Sequence, residues 1–309
     1  PQIATTASHG LPPGHILLAL AVVAIWGTNF VVIRIALDEL PPLTLATLRF
    51  AFALVPAVFF VRRPRVPWAS IAAYGLLIGF GQFALLLLAM NGRISPGLAS
   101  LVVQSQVFFT IGIAMWRSGE QVRGFQIGAL LLAVAGIGVI LAHADRNATP
   151  LGLAMVLAAA LSWAAGNIVA RETGVRAMFG YVVWSNLFAV PPLALCALLV
   201  EGPGTIAAAL AHASPGAWVA VVWQAAGNTL FGLVMWGWLL ARHPAATITP
   251  MALLIPVFGI GTSALMLGET LPAWKLAAGA LVLGGLAINV LWPVRHRLPG
   301  LPWRRGAAT

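Results

Sequence analysis

Eight side-chain amides stand inside otherwise apolar runs of this 309-residue chain: Asn29, Gln82, Gln104, Gln106, Asn167, Asn186, Gln224 and Asn228. An amide donates and accepts hydrogen bonds, and leaving it in contact with hydrocarbon is costly, so each should face another helix or a watery pocket. Helical spacing puts Trp163 with Asn167, and Gln224 with Asn228, on one face at i, i+4, and Trp26 beside Asn29 at i, i+3. An amide beside a flat indole suits a zwitterion with an apolar or aromatic side chain. The competing role is hydrogen bonding that only ties helices together. Tyr181, Trp184, Ser185 and Phe188 form an i, i+3, i+4, i+7 stripe that either walls a pocket or packs in the core. Pro250 and Pro256 interrupt another apolar run and free backbone carbonyls, which is tolerated at depth next to a cavity or a neighbouring helix. The candidate binding set is therefore Trp26, Asn29, Gln82, Gln106, Trp163, Asn167, Tyr181, Trp184, Gln224, Asn228 and Pro256.

The missing residue types narrow the chemistry. The chain has no HExxH for zinc, no pair of mid-span aspartates to share a proton, and no Gly-rich phosphate loop before a lysine. It therefore reads as neither an intramembrane enzyme nor an ATP-driven pump, and no cofactor is called for. The single cysteine, Cys196, excludes an internal disulfide and a multi-cysteine metal site. Arg49 and Lys275 fall near expected span ends and read as interfacial, so the span centres are expected to carry no charge. A neutral or zwitterionic solute moving down its gradient fits this pattern best. Proton-coupled efflux and a non-transporting membrane scaffold are the alternatives.

The elements that must position these residues follow from composition. Apolar residues make up 61% of the chain and charged ones 8%, with mean hydropathy +0.96; soluble domains are about a quarter charged. Such a chain is an all-α integral membrane protein. At about 20 residues per bilayer crossing, ten spans are expected: His15–Ile35, Thr44–Val61, Trp68–Met90, Gly97–Trp116, Phe125–Ala142, Leu151–Ala170, Tyr181–Val200, Pro215–Ala241, Ala245–Leu267 and Pro272–Trp292. Residues 1–13 carry no Lys or Arg, so the first span is expected to stay as an anchor. A cytoplasmic N-terminus puts twelve of the 17 basic residues on the inner side, leaving Arg34, Arg49, Arg93, Arg146 and Lys275 outside. Both termini are then cytoplasmic by the positive-inside rule. The net charge of +10 reads as topology and contact with anionic lipid headgroups at the tail, not as nucleic-acid binding.

The chain also repeats itself. Pro96, Val107-Phe108, Gly119-Glu120 and Gly136 are answered by Pro244, Val257-Phe258, Gly268-Glu269 and Gly285, at offsets of 148 to 150 residues. Five spans per copy place the second copy upside down relative to the first, an inverted repeat suited to alternating access around a midplane site. The expected division is a segment 1–14, a first five-helix repeat 15–142, a periplasmic linker 143–150, a second repeat 151–292 and a basic cytoplasmic tail 293–309. Glu120 and Glu269 are expected to close the short turns between helices. Gly75/Gly79 and Gly259/Ser263 have the spacing of close helix contacts.

Each unit has an apolar helix, a Gly-Glu at its end and a Gly-bearing closing helix. With Trp26-Gly27-Thr28-Asn29-Phe30 and Trp163-Ala164-Ala165-Gly166-Asn167, these units resemble the EamA domains of the drug/metabolite transporter superfamily. The resemblance covers Ile16 to Trp292 and runs closest to the bacterial amino-acid and metabolite exporters. It implies a transporter in a bacterial inner membrane that exports small metabolites, amino acids with aromatic and other apolar side chains among them. One position departs from the family: the proline before the Val-Phe pair is kept as Pro256 but replaced by Gln106 in the first copy, so the halves should not contribute equally to a site.

Overall fold

The computed structural model describes residues 11–55, 57–94, 99–100, 102–118, 122–143, 149–175, 177–267 and 273–292. Among these there is no β-strand, and seven helical segments are long and apolar enough to cross a membrane. A chain this apolar in lipid has no water to pair its backbone, and helices satisfy their N–H and C=O groups internally.

In chain order the elements are α1 (Pro13–Leu37), α2 (Pro42–Leu54), α3 (Trp68–Met90), α4 (Gln106–Ser118), α5 (Gly124–His143), α6 (Pro150–Thr173), α7 (Met178–Val200), α8 (Pro203–His212), α9 (Pro215–Leu240), α10 (Ile255–Leu267) and α11 (Ala273–Leu291). The segment through α2 continues to Phe60, and the segment of α10 begins at Ala245. The expected spans over residues 97–116, 125–142 and 272–292 fall on α4, α5 and α11 and are not among the seven. α8, a ten-residue helix with no buried residue, falls within none of the expected spans. Glu120, Glu269, the linker residues 144–148 and the tail 293–309 lie outside the described residues.

Several helix starts carry signals of the expected kind. Proline sits in the first turn of α1, α2, α6, α8 and α9, where its missing N–H costs nothing. Thr149 and Ser214 cap α6 and α9 through their side-chain oxygens.

Two long helices change winding midway. Residues Gly75–Gln82 of α3 and Gln224–Leu233 of α9 are π-helical. These segments begin 149 residues apart, the same spacing as the sequence repeat. The helices that enter α4 and α10 are likewise broken, by 3₁₀ turns at Val103–Ser105 and Thr249–Leu254. In α10 the break carries Pro250, and Pro256 occupies the first turn beyond it, as the freed carbonyls of two prolines require. The corresponding break before Gln106 has no proline.

The packed pairs recur in the same way. α1 lies against α10 and the π segment of α9, while α6 lies against α4 and the π segment of α3; α2 packs on α7, and α5 on α11. Exchanging α1–α5 for α6, α7, α9, α10 and α11 turns this set of pairs into itself. Glycine makes the closest approach possible: a Cβ on Gly75 would lie 2.0 Å from the carbonyl oxygen of Ser185, and one on Gly79 2.3 Å from the Cβ of Ala189. The other small-residue pair is looser, since a Cβ on Gly259 would meet nothing nearer than 3.4 Å.

Candidate functional site

The centre of the bundle holds a cavity of about 40 Å³ where α1, α3, α6, α9, α10 and the 3₁₀ turn before α4 converge. At roughly 10–15 Å³ of such volume per water, it has room for a few waters, and the walls must separate before an amino acid fits. Most of the wall is apolar or aromatic, including Phe30, Phe83, Leu86 and Ile255. Six polar or indole side chains interrupt it: Trp26, Asn29, Gln82, Gln104, Trp163 and Asn228.

Four of these carry an atom that is buried and has no hydrogen-bond partner: Asn29 Oδ1, Gln82 Oε1, Gln104 Oε1 and Trp163 Nε1. Each such atom costs about 1–3 kcal/mol until something pairs with it. The side chains that carry these three acceptors and one donor all line one small apolar space. Trp163 meets Trp26 edge to face with ring centroids 5.3 Å apart, and Trp26 in turn meets Trp236 at 5.2 Å. The Trp26 indole donates to the main-chain oxygen of Asn228, 3.2 Å away.

The sequence candidates divide into those the fold brings together and those it sends elsewhere. Trp26, Asn29, Gln82, Trp163 and Asn228 share the cavity wall. Asn167 does not follow Trp163 into it: its Nδ2 donates to Gln106 Oε1 and Thr110 Oγ1 at 3.4 and 3.5 Å, joining α6 to α4. Gln106 is fully buried in that cluster. Gln224 is buried outside the wall, one turn along α9 from Asn228, so the shared face that i, i+4 spacing provides does not bring both amides to one cavity. Pro256 is buried beside Ile255, which does line the cavity. Tyr181 packs on Tyr74 and bonds Ser70, and the Trp184 indole donates to the Val61 carbonyl at 2.9 Å. Among the described residues, then, the α7 stripe fastens α7 to α3 and the end of the α2 segment instead of walling the cavity.

One expectation is overturned outright. Arg49, taken as interfacial, is 1% exposed in the bundle interior. Its Nε donates to Thr229 Oγ1 at 2.7 Å and its Nη2 to Asn228 Oδ1 at 3.0 Å, and the guanidinium carbon lies 3.9 Å above the centre of the Phe83 ring. The uncharged interior expected from the span boundaries thus contains a cation. It was misread because position along a helix does not reveal the face, and its partners lie about 180 residues away in sequence.

Helical spans apolar enough to cross a membrane, packed round a small cavity edged with unpaired amides and one unpaired indole, define an integral membrane protein built to handle a small solute. The chain belongs to the EamA-like transporter family, whose model matches residues 14–142 and again 150–291. It is similar to proteins named "probable amino-acid metabolite efflux pump" in Salmonella typhimurium (strain LT2), with 40% identity over 88% of this chain and 93% of the relative, and in Escherichia coli (strain K12), with 38% identity over 94% and 96%. A "probable terminal-alkyne amino-acid exporter" of Streptantibioticus cattleyicolor is 29% identical over 93% of this chain and 97% of its own. A crystal structure of a protein 20% identical superposes with a TM-score of 0.74 over 93% of this chain and 99% of that one, a likeness of fold alone.

Proposed function

We propose that this transporter exports small zwitterionic metabolites, chiefly amino acids with aromatic or other large apolar side chains, from the cytoplasm across a bacterial inner membrane. In this reading ten spans form two inverted five-helix halves, residues 15–142 and 151–292, with both termini cytoplasmic. The halves rock about the cavity without strict ion coupling. The observation that carries it is the set of unpaired atoms on Asn29, Gln82, Gln104 and Trp163 around one apolar space. Amide oxygens accept from an ammonium group, the indole N–H donates to a carboxylate, and the surrounding rings receive an apolar side chain. The names of the relatives agree in substrate class, and the matching positions of the π segments and 3₁₀ breaks support a repeated architecture.

Purified protein in liposomes would be tested for uptake of radiolabelled phenylalanine, leucine, an amine and a sugar phosphate, with and without an imposed pH gradient. Amino-acid flux indifferent to the gradient is expected. Flux that requires the gradient removes the uncoupled mechanism, and no amino-acid flux removes the substrate assignment.

A further inference from the structure

We propose that Arg49 is the carboxylate anchor of the transport site, an inference that rests on the amino-acid reading above. A guanidinium with five N–H donors sits inside the bundle, yet no ion pair holds it among the described residues. Its bonds to Thr229 and Asn228 are to neutral oxygens, and Nη1 is buried with no partner. Burying a cation without an opposing charge is expensive, and an arriving anion would offset that cost.

The place of the cation says which anion. Asn228, which holds it, and Phe83, on which it stacks, are both wall of the central cavity. Arg49 therefore lies one side chain behind the cavity that Asn29, Gln82 and Gln104 line. A phosphate would bring two charges to one guanidinium among unpaired acceptors, which repel it. A single carboxylate matches the guanidinium fork in two parallel bonds, and the oxygens of Asn29, Gln82 and Gln104 remain for an ammonium group. The substrate class is thus narrowed to monocarboxylates with a free amine. Phe83 and Asn228 must shift as the anion reaches the cation, which couples filling of the site to the α2–α9 contacts that Arg49 makes.

The rival role, a cation that only ties α2 to α9, is separated by comparing an acid with its carboxamide. Equilibrium binding of L-phenylalanine and L-phenylalaninamide would be measured by calorimetry on detergent-purified wild type and Arg49→Gln, with monodispersity and melting temperature as controls on folding. Wild type should bind the acid tighter by about tenfold or more, the worth of one charge-assisted bond. Arg49→Gln should erase that preference while leaving amide binding within about twofold. Equal binding of acid and amide by wild type, or an unchanged preference in Arg49→Gln, overturns the anchor and leaves amino-acid transport standing. If Arg49→Gln does not fold, Arg49→Lys, which keeps the charge without the fork, decides: the preference must shrink several-fold, and an undiminished one overturns the proposal. Wild type that binds neither compound and shows no amino-acid flux overturns both readings together.

Discussion

Trp26 on α1 donates its indole N–H to the main-chain oxygen of Asn228 on α9, 202 residues along the chain. That oxygen lies in the π segment Gln224–Leu233. A π bulge loosens the i→i+4 ladder, and a carbonyl released from it can accept from outside the helix. The other π segment does the same, its Leu77 carbonyl accepting from Ser162 Oγ at 2.8 Å. Each bulge is thus pinned by a polar group from the opening helix of the opposite half, α1 on α9 and α6 on α3.

Trp26→Phe, which keeps the ring and drops the donor, should cost about 1 kcal/mol of stability. Gly232→Ala should cost more, because its Cβ would sit 2.3 Å from Trp26 Nε1 in a packed interior. Thermal unfolding of the detergent-purified variants checks the order, and a Gly232→Ala protein as stable as wild type would contradict the packing.

Trp163 and Asn167 should behave differently although they are one turn apart. Trp163→Phe removes an N–H that has no partner, so the melting temperature should hold while amino-acid flux falls. Asn167→Ala breaks the link to Gln106 and Thr110, and should lower stability by about 1 kcal/mol with the KM for substrate nearly unchanged. Parallel flux and melting curves on both variants decide, and equal loss of flux without loss of stability would place Asn167 in the site after all.

Seven of the expected spans and several polar candidates were legible because both obey local rules: about 20 apolar residues cross a bilayer, and an amide within such a run needs a partner. Trp26, Asn29, Gln82, Trp163 and Asn228 were reached that way. Spacing of i, i+4 places Gln224 with Asn228, and Asn167 with Trp163, on a shared face but not at a shared depth, so one residue of each pair lines the cavity and the other lies a turn away; nothing local in Gly75–Gln82 or Gln224–Leu233 announces a π segment. Arg49 failed for a different reason. Its burial is decided by Thr229, Asn228 and Phe83, residues no window around position 49 contains. Tyr181 and Trp184 show the converse, a correct helical stripe whose partners, Ser70 and Val61, lie on neighbouring segments away from the cavity.

A pair of histidines joins the start of α1 to the turn after α9. His15 Nδ1 and His243 Nε2 are 2.7 Å apart, and the His15 ring lies edge-on to Trp238. Burial, then the neighbouring His15 and Arg242, hold His243 below its ordinary value of 6.5. The folded state therefore favours neutral His243. Its contribution is complete above 6.5, declines as pH falls from there toward the lowered folded value, and levels off below it. Wild type should lose melting temperature between pH 7.5 and pH 5.5, and His243→Gln should lose less. Parallel slopes for the two proteins would show that this contact carries no pH dependence.

Two acids, Glu201 and Glu39, cap helices across the halves. Glu201 accepts from Leu43 N, Thr44 N and Thr44 Oγ1 at the start of α2, and Glu39 accepts from Ser214 N and Ser214 Oγ at the start of α9. A carboxylate there pairs helix N–H groups and meets the positive end of the dipole. Glu201→Ala should cost about 1–2 kcal/mol and loosen the helix that carries Arg49. For Glu39 the backbone bond from Ser214, followed by the hydroxyl bond, pulls the carboxyl below its ordinary 4.5. A depressed carboxyl stabilises above its unfolded value and loses that contribution as pH falls from about 4.5 through the folded value. Glu39→Gln should therefore match wild type more closely at pH 3.5 than at pH 7. Thermal unfolding across that range checks it, and a gap between the two proteins that does not narrow in acid would mean that the carboxylate's charge contributes nothing to the cap.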